Sequence, residues 1–477
     1  MTCSIPVRKI PDRPLKKRSR VWGVSLPPNV QTVGELKAAG HIYRPLRVEI
    51  RDNLLAKLRS GEDPWPGLHG LNYTVIPQLE RALIAGHDIV LLGERGQGKT
   101  RLLRTLITLL DEWSPIIPGR DVPEHPLAPN VEISDDQPIE WVHRDARYTE
   151  KLATPDTSVA DLIGDVDPMR VAEGRSLGDL ETIHYGLIPR ANRGIVAINE
   201  LPDLAERIQV AMLNVMEERD VQIRGYNIRL DLDVLVVASA NPEDYTNRGR
   251  IITPLKDRFG AEIRTHYPLE LDDEVAIIRQ EAELVAQVPD ILVEILARYT
   301  RALRESSSVN QRSGVSARFS IAGAETVAAA ALRRAAVFGE DEAVARLVDL
   351  EAAVEVLGGK IEFESGEEGR EWEILDYLLR TATAEALRST LRSLDLTPLI
   401  AALDGSITVS TGTNITASEF LASLPELGES TLYDDIAQAF GATTPSTRAM
   451  AIELALEGLY LSRKIAKDSG EGETIYG

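Results

Sequence analysis

A chain of 477 residues is long enough for about three domains at roughly 150 residues each. Its hydrophobic share of 43% and charged share of 27% are those of an ordinary folded, water-soluble chain and exclude a disordered or membrane-embedded one. With 53 Lys and Arg against 74 Asp and Glu the formal charge is −21, and so acidic a surface repels phosphate backbones, which makes nucleic acid a poor default partner.

Residues 1–30 read as a basic, disordered tail in which Arg8, Lys9, Arg13, Lys16, Lys17, Arg18 and Arg20 stand against Asp12 alone. An arm for an acidic partner or for nucleic acid is the alternative. Those charges are followed by Val21-Trp22-Gly23 and the turn-like Pro27-Pro28-Asn29 rather than by an apolar run, so no export signal is expected. No run of some 18 apolar residues offers a membrane span. A single cysteine, Cys3, suits a reducing compartment, and the expected location is cytoplasmic. The histidines are scattered without cysteine company, which argues against a zinc site.

Residues 31–69 form a helical leading segment. Thr32 reads as an N-cap with Glu35 reaching back and Gly40 ending the helix, and a second helix is expected over Val48 to Leu58. Between 70 and 268 helical patterns alternate with short apolar runs at Ile89 to Leu92, Ile139 to Val142, Ile195 to Ile198 and Val234 to Ala238. Such runs lack polar alternation, as strands of a parallel sheet covered on both faces do, so this region is expected to be an α/β nucleotide-binding domain. Residues 269–357 read as a helical lid, with helices over Asp272 to Arg301 and Ser320 to Val356. Residues 358–477 read as a linker and a mainly helical C-terminal extension, with helices over Trp372 to Leu394 and Ser446 to Lys467 and no chemistry of its own.

The strongest chemical signal is Gly93-Glu94-Arg95-Gly96-Gln97-Gly98-Lys99-Thr100, which fits GxxxxGK[ST] between an expected strand and an expected helix. Glycines let backbone N–H groups curl around phosphate oxygens, and the helix N-terminus adds a favourable dipole. Lys99 is placed to reach the β- and γ-phosphates of ATP, and Thr100 to put its hydroxyl on Mg²⁺. The apolar strand Gly194 to Ile198 ends on Asn199-Glu200 and is expected beside this loop in the sheet, with Glu200 aligning or deprotonating water. The usual partner of that glutamate is an aspartate that helps hold Mg²⁺. Asn199 accepts a hydrogen bond from a metal-bound water but brings no charge, so weaker metal affinity and slower turnover are expected.

Asn241 follows the strand Val234 to Ala238 and Ser239-Ala240, at a carboxyl end where open α/β sheets bind ligands. It is either a water-positioning group or a loop cap. Arg258, in Leu255-Lys256-Asp257-Arg258-Phe259-Gly260, is the best candidate for an arginine finger inserted into a neighbouring subunit, with Arg248 and Arg250 as rivals and a surface ion pair as the alternative. Val221 to Ile223 and Ile228 to Leu230 are expected to pair as a hairpin around Arg224 to Asn227.

These elements, in this order, resemble the AAA+ ATPases. The run Tyr185-Gly186-Leu187-Ile188-Pro189-Arg190-Ala191-Asn192-Arg193-Gly194-Ile195 resembles the approach to the second nucleotide motif in the ATPase (I) subunit of magnesium chelatase. Leu162 to Asp167 upstream and Asn241 to Asp244 downstream resemble it too, and the likeness covers about residues 48–350. It implies Gly93, Gly98, Lys99 and Thr100 as Walker A, Glu200 as the Walker B glutamate, Asn241 as sensor 1 and Arg258 as the finger. Arg318, in Ser313-Gly314-Val315-Ser316-Ala317-Arg318, looks like the sensor 2 arginine of the lid, against the plain reading of an exposed charge at a helix start.

The resemblance further implies ATP and Mg²⁺ as cofactors, a homo-oligomeric ring read as a hexamer, and a partner carrying a von Willebrand A domain. Its specific task would be metal insertion into a tetrapyrrole, with MoxR-like assembly of a metalloprotein as the close rival. Asn199 also motivates a nucleotide-gated scaffold that barely turns over, and DNA remodelling ranks low on charge. Asn199, the basic N-terminus and the extension after the lid all depart from the chelatase pattern.

Overall fold

The computed structural model describes residues 27–167, 169, 172, 182–218, 221–223, 226–228, 231–241, 249–310, 314–403, 407–470 and 473–477. Cys3, the basic stretch Arg8 to Arg20, Arg224 and Gly225, Pro242 to Asp244, Arg248 and Ser313 lie outside the described residues.

Five strands form one parallel sheet: β1 (Ile89–Leu92), β2 (Tyr148–Leu152), β3 (Ile195–Asn199), β4 (Leu235–Ala240) and β5 (Ala261–Arg264). Their order is β5-β1-β4-β3-β2. Side chains alternate between two cores. Ile89, Leu91, Ile195, Ala197, Leu235 and Val237 meet the helices Leu46–Ser60, Val75–Ala85 and Lys99–Thr105 on one face. Val90, Leu92, Val196, Ile198, Val236 and Ala238 meet the helix Glu206–Glu217 on the other. Burial on both faces is why β1 is apolar throughout and why β3 and β4 are apolar up to Asn199 and Ser239 near their carboxyl ends.

Two expectations need correction here. The run Ile139 to Val142 is not in the parallel sheet; its last three residues lie in the strand Glu140–His143, paired antiparallel with Trp113–Ile116. The sheet takes β2 at that edge instead, and as a half-buried edge strand β2 tolerates Glu150 and Lys151, which hide it from a search for apolar runs. The strand ending at Asn199 is also not next to β1, because β4 stands between them.

Thr32 caps its helix as expected, its hydroxyl accepting from the Glu35 N–H at 3.2 Å, while the Glu35 carboxylate accepts from Gln31 N–H at 2.8 Å. After the sheet, the expected helix over Asp272 to Arg301 is instead two, Leu271–Glu281 and Asp290–Glu305, the second entered from Pro289 at its N-cap. Gly339, at φ 71°, ends Ala317–Phe338 before Leu347–Leu357 begins. These helices share one apolar core, and the long helix Glu371–Arg392 contributes Leu375, Leu379, Ala382, Ala386 and Leu387 to it. The remainder builds a separate core around Phe420, Leu456 and Tyr476, with a three-stranded antiparallel sheet of Val409–Gly412, Glu473–Tyr476 and Lys467–Gly470 that the helical reading lacks. No helix among the described residues is long and apolar enough to cross a membrane.

The leading segment is tied down by an imidazole pair, His125 buried and His41 half-buried. The Leu127 N–H donates to His125 Nδ1 at 3.1 Å, so the His125 proton sits on Nε2, 3.2 Å from His41 Nε2. Burial, then the charges of Arg193, His41 and Arg147, lowers the His125 pKa to about 3. The unfolded chain takes up this proton near pH 6.5 and the folded chain does not until far lower, so stability falls with pH across that window. Urea unfolding should show a loss of about 3 kcal/mol from this residue between pH 7 and pH 4. His125→Asn should flatten that part of the pH profile.

Candidate nucleotide site

The glycine loop leaves β1 at Gly93, whose N–H donates to the Ala240 carbonyl of β4 at 3.1 Å. A Cβ at Gly93 would overlap the Thr265 hydroxyl and the Gln97 side chain, themselves hydrogen-bonded at 2.7 Å. Gly96 and Gly98 lie at φ 75° and 77°, a conformation that favours glycine and turns successive N–H groups towards the loop's concave side. A Cβ at Gly98 would meet nothing within 4 Å. Lys99 opens the helix Lys99–Thr105, is 7% exposed, and donates through Nζ to the carbonyls of Gly93 and, at 2.7 Å, Glu94. Those carbonyls orient the ammonium without neutralising it. The Thr100 hydroxyl, half-buried, makes no hydrogen bond among the described residues.

At the neighbouring strand ends lies a chain of polar contacts. Asn199, 8% exposed at the end of β3, donates from Nδ2 to Glu150 on β2 at 2.7 Å and accepts at Oδ1 from the Ser239 hydroxyl on β4 at 3.0 Å. Ser239 Oγ in turn accepts from the Glu200 N–H at 3.3 Å. Glu200 itself sits at φ 55°, a left-handed conformation costing a non-glycine residue on the order of 1 kcal/mol, and it turns the chain sharply off the end of β3. Asn241 is 3% exposed, one residue beyond the carbonyl that clamps Gly93. Arg104, on the helix that Lys99 opens, holds Glu150 through Nε at 2.8 Å and Nη2 at 3.1 Å. Its guanidinium pKa is raised by that hydrogen bond.

The helices that follow the sheet, expected from sequence to be a lid, touch the loop directly. Ser316, just before the helix Ala317–Phe338, lies where a Cβ on Gly96 would fall, 2.2 Å from Ser316 Cβ. The Tyr267 hydroxyl donates to the Arg95 carbonyl at 2.8 Å, and the Arg304 guanidinium lies 4.1 Å from the Tyr267 ring centroid. Arg304 also donates to the Val315 carbonyl at 2.6 Å and to both oxygens of the fully buried Glu274.

Gly93, Lys99, Thr100, Asn199, Glu200 and Asn241 therefore gather at the carboxyl ends of three adjacent strands, β1, β4 and β3. The arginines are elsewhere. Arg258 ends the helix Thr253–Arg258 and donates to Glu217 and to the Pro254 carbonyl at 2.8 Å. Arg250 is exposed, and Arg318 is exposed at the second position of the lid helix that follows Ser316; neither has an ion-pair partner among the described residues. The hairpin Val221–Ile223 with Tyr226–Ile228 pairs antiparallel. Sequence reading missed Glu150, Arg104, Thr265 and the Tyr267–Arg304–Glu274 cluster. All lie on edge strands or across long sequence separations, where no local motif marks them.

The arrangement fits a nucleotide and a divalent cation. Positive-φ glycines and an inward ammonium suit an anion, and the hydroxyl of Thr100 with the side-chain oxygen of Asn199 is the hard donor type that Mg²⁺ prefers.

Residues 88–259 match the protein family described as AAA domain (dynein-related subfamily). The magnesium-chelatase 38 kDa subunit of Rhodobacter capsulatus is 31% identical over 204 residues, which are 40% of this chain and 52% of that protein. Its counterpart in Cereibacter sphaeroides is 31% identical over 202 residues, 40% of this chain and 54% of that one. The chain thus spans about half the length of these relatives. Among solved structures, a chain from the complex between subunits BchI and BchD of magnesium chelatase is 22% identical, covering 65% of this chain and 98% of that one at a TM-score of 0.36.

The Gly96–Ser316 contact is open to test by unfolding. Gly96→Ala should cost about 1 kcal/mol for its left-handed backbone and about 1–3 kcal/mol more for overlap with Ser316. A second change, Ser316→Gly, should recover the part of the overlap that falls on the Ser316 side chain but neither the backbone cost nor the 2.9 Å approach to the Cα at 316.

Proposed function

We propose that this chain, which carries an AAA domain of the dynein-related subfamily over residues 88–259, is an ATP-binding and ATP-hydrolysing motor subunit that works in a ring and remodels a partner. The observation that carries the reading is the meeting of the Lys99 loop, Asn199-Glu200 and Asn241 at adjacent strand ends, with the lid leaning on the loop at Gly96. Backbone N–H groups of Gly96 to Thr100 would cradle the phosphates while Lys99 faces the β- and γ-oxygens. Thr100, and Asn199 through a water, would hold Mg²⁺, which when bound neutralises charge on the phosphates. Glu200 would orient or deprotonate the attacking water from its sharp turn, and Asn241 would fix that water's position.

Arg258 is the proposed finger for the adjacent subunit's γ-phosphate and Arg318 the lid residue that reports on it. In the single chain Arg258 is held by Glu217, so insertion into a neighbour would exchange that ion pair for a phosphate. A hexameric homo-oligomer is the expected ring. By likeness to the magnesium chelatase subunits, the partner would carry a von Willebrand A domain and the task would be metal insertion into a tetrapyrrole, with MoxR-like metalloprotein assembly as the rival. Asn199 favours a second reading, a scaffold that binds ATP and assembles but hydrolyses it slowly.

Specific ATPase activity should rise with protein concentration, and Arg258→Ala mixed into wild type should lower it more than dilution does. A flat profile indifferent to the mutant would sink both the finger and the shared site. Glu200→Gln should keep ATP binding and lose hydrolysis by about 10²- to 10⁴-fold. Lys99→Ala should lose binding. Wild-type turnover no faster than Lys99→Ala, with ATP still bound, would favour the scaffold.

A further inference from the structure

The strand that should end in a carboxylate ends in a neutral amide, yet a carboxylate stands 2.7 Å from that amide on the next strand. Glu150 pairs in register with Ala197, two residues before Asn199, so Glu150 and Asn199 project from the same face of the sheet. It is the face that carries the helix Lys99–Thr105, since Ala197 shares its core with Leu102 and Leu103 of that helix. Arg104 of the helix reaches Glu150, and Thr100 lies one turn earlier on the same side. Thr100 therefore stands on the helix face that Arg104 turns towards Glu150.

The hydrogen bonds settle how the amide lies. A carboxylate only accepts, so Asn199 must turn Nδ2 to Glu150. Oδ1 then faces β4, where it accepts from Ser239 at 3.0 Å and keeps a second lone pair unused among the described residues. Flipping the amide would set Oδ1 against the carboxylate and break the bond to Glu150.

We propose that Glu150 is the charged member of the divalent-cation site: the negative charge usually carried at position 199 resides one strand away, and Glu150 acts through Asn199 as a positioning residue. The inference rests on the nucleotide reading of the Lys99 loop. It has a consequence that the motif alone does not suggest. Asn199→Asp does not repair the site, because it replaces the amide donor with a second carboxylate facing Glu150, which breaks the 2.7 Å hydrogen bond and sets two like charges against each other.

The test is equilibrium binding of ATP to the full chain by calorimetry, in Mg²⁺ and in EDTA, with the ratio of affinities as the readout rather than turnover. Glu150→Gln should cut the Mg²⁺-dependent gain by about 10-fold or more while EDTA binding holds. Asn199→Asp alone should also lower the gain. The double variant Asn199→Asp/Glu150→Gln again pairs one carboxylate with one amide and should recover it, which a misfolded protein could not do. A full gain in Glu150→Gln, an improved gain in Asn199→Asp alone, or no recovery in the double variant would each overturn the proposal and leave the nucleotide reading intact. Wild type that binds no ATP in either buffer would overturn both.

Discussion

Because helices cover both faces of the five-stranded sheet, its polar chemistry has only the strand ends to occupy. All five strands run the same way, so their carboxyl ends meet along one rim, and the two switches of strand order around β1 open the crevice into which Gly93 to Lys99 curl. One backbone bond, from the Gly93 N–H to the Ala240 carbonyl, sets the height of the loop against Asn241. The apolar interior and the polar rim are thus two results of the same parallel pairing.

Along that rim charge is handled by sharing. Glu150 takes hydrogen bonds from both Arg104 and Asn199, and Ser239 relays from Asn199 to the backbone of Glu200. Glu200 is bent into a left-handed conformation at the point where β3 stops. A strained residue persists when its surroundings over-determine it, and here a fully buried strand precedes it while a hydroxyl holds its N–H. The left-handed residue therefore marks where the chain leaves the sheet for the short helix Leu201–Asp203.

The central strands and the glycine loop were legible because their signals are local: apolar runs for strands buried on both faces, and closely spaced glycines with a lysine for the loop. Arg258, Arg250 and Arg318 were legible as residues but not as placements, since an exposed arginine carries no local mark of what it faces. Edge strands fared worst. Tyr148–Leu152 and Ala261–Arg264 are covered less than the central strands and mix charge with apolar groups, so Ile139 to Val142, more apolar but outside the sheet, drew the assignment instead. Glu150 was lost with its strand, and Thr265 stands just past the other edge strand. The three-stranded sheet near the C-terminus escaped for a related reason: Lys467–Gly470 is polar and largely exposed.

The lid's attachment bears on what a nucleotide-driven motion would reach. Ser316 rests on Gly96, and Tyr267 bridges from the Arg95 carbonyl to Arg304, whose guanidinium is committed to the buried Glu274 and to the Val315 carbonyl. Moving the start of the lid helix away from the loop would disturb that charge-paired cluster, which is costly for a buried pair. The lid should therefore turn as a unit with Leu271–Glu281 and Asp290–Glu305 rather than bend locally. Its core also includes Leu375, Leu379 and Leu387 of Glu371–Arg392, and Arg346 joins the lid to the C-terminal core through buried contacts with Glu453 and Thr411. A rotation begun at Gly96 would then be delivered to the extension as displacement, because close-packed cores transmit strain rather than absorb it.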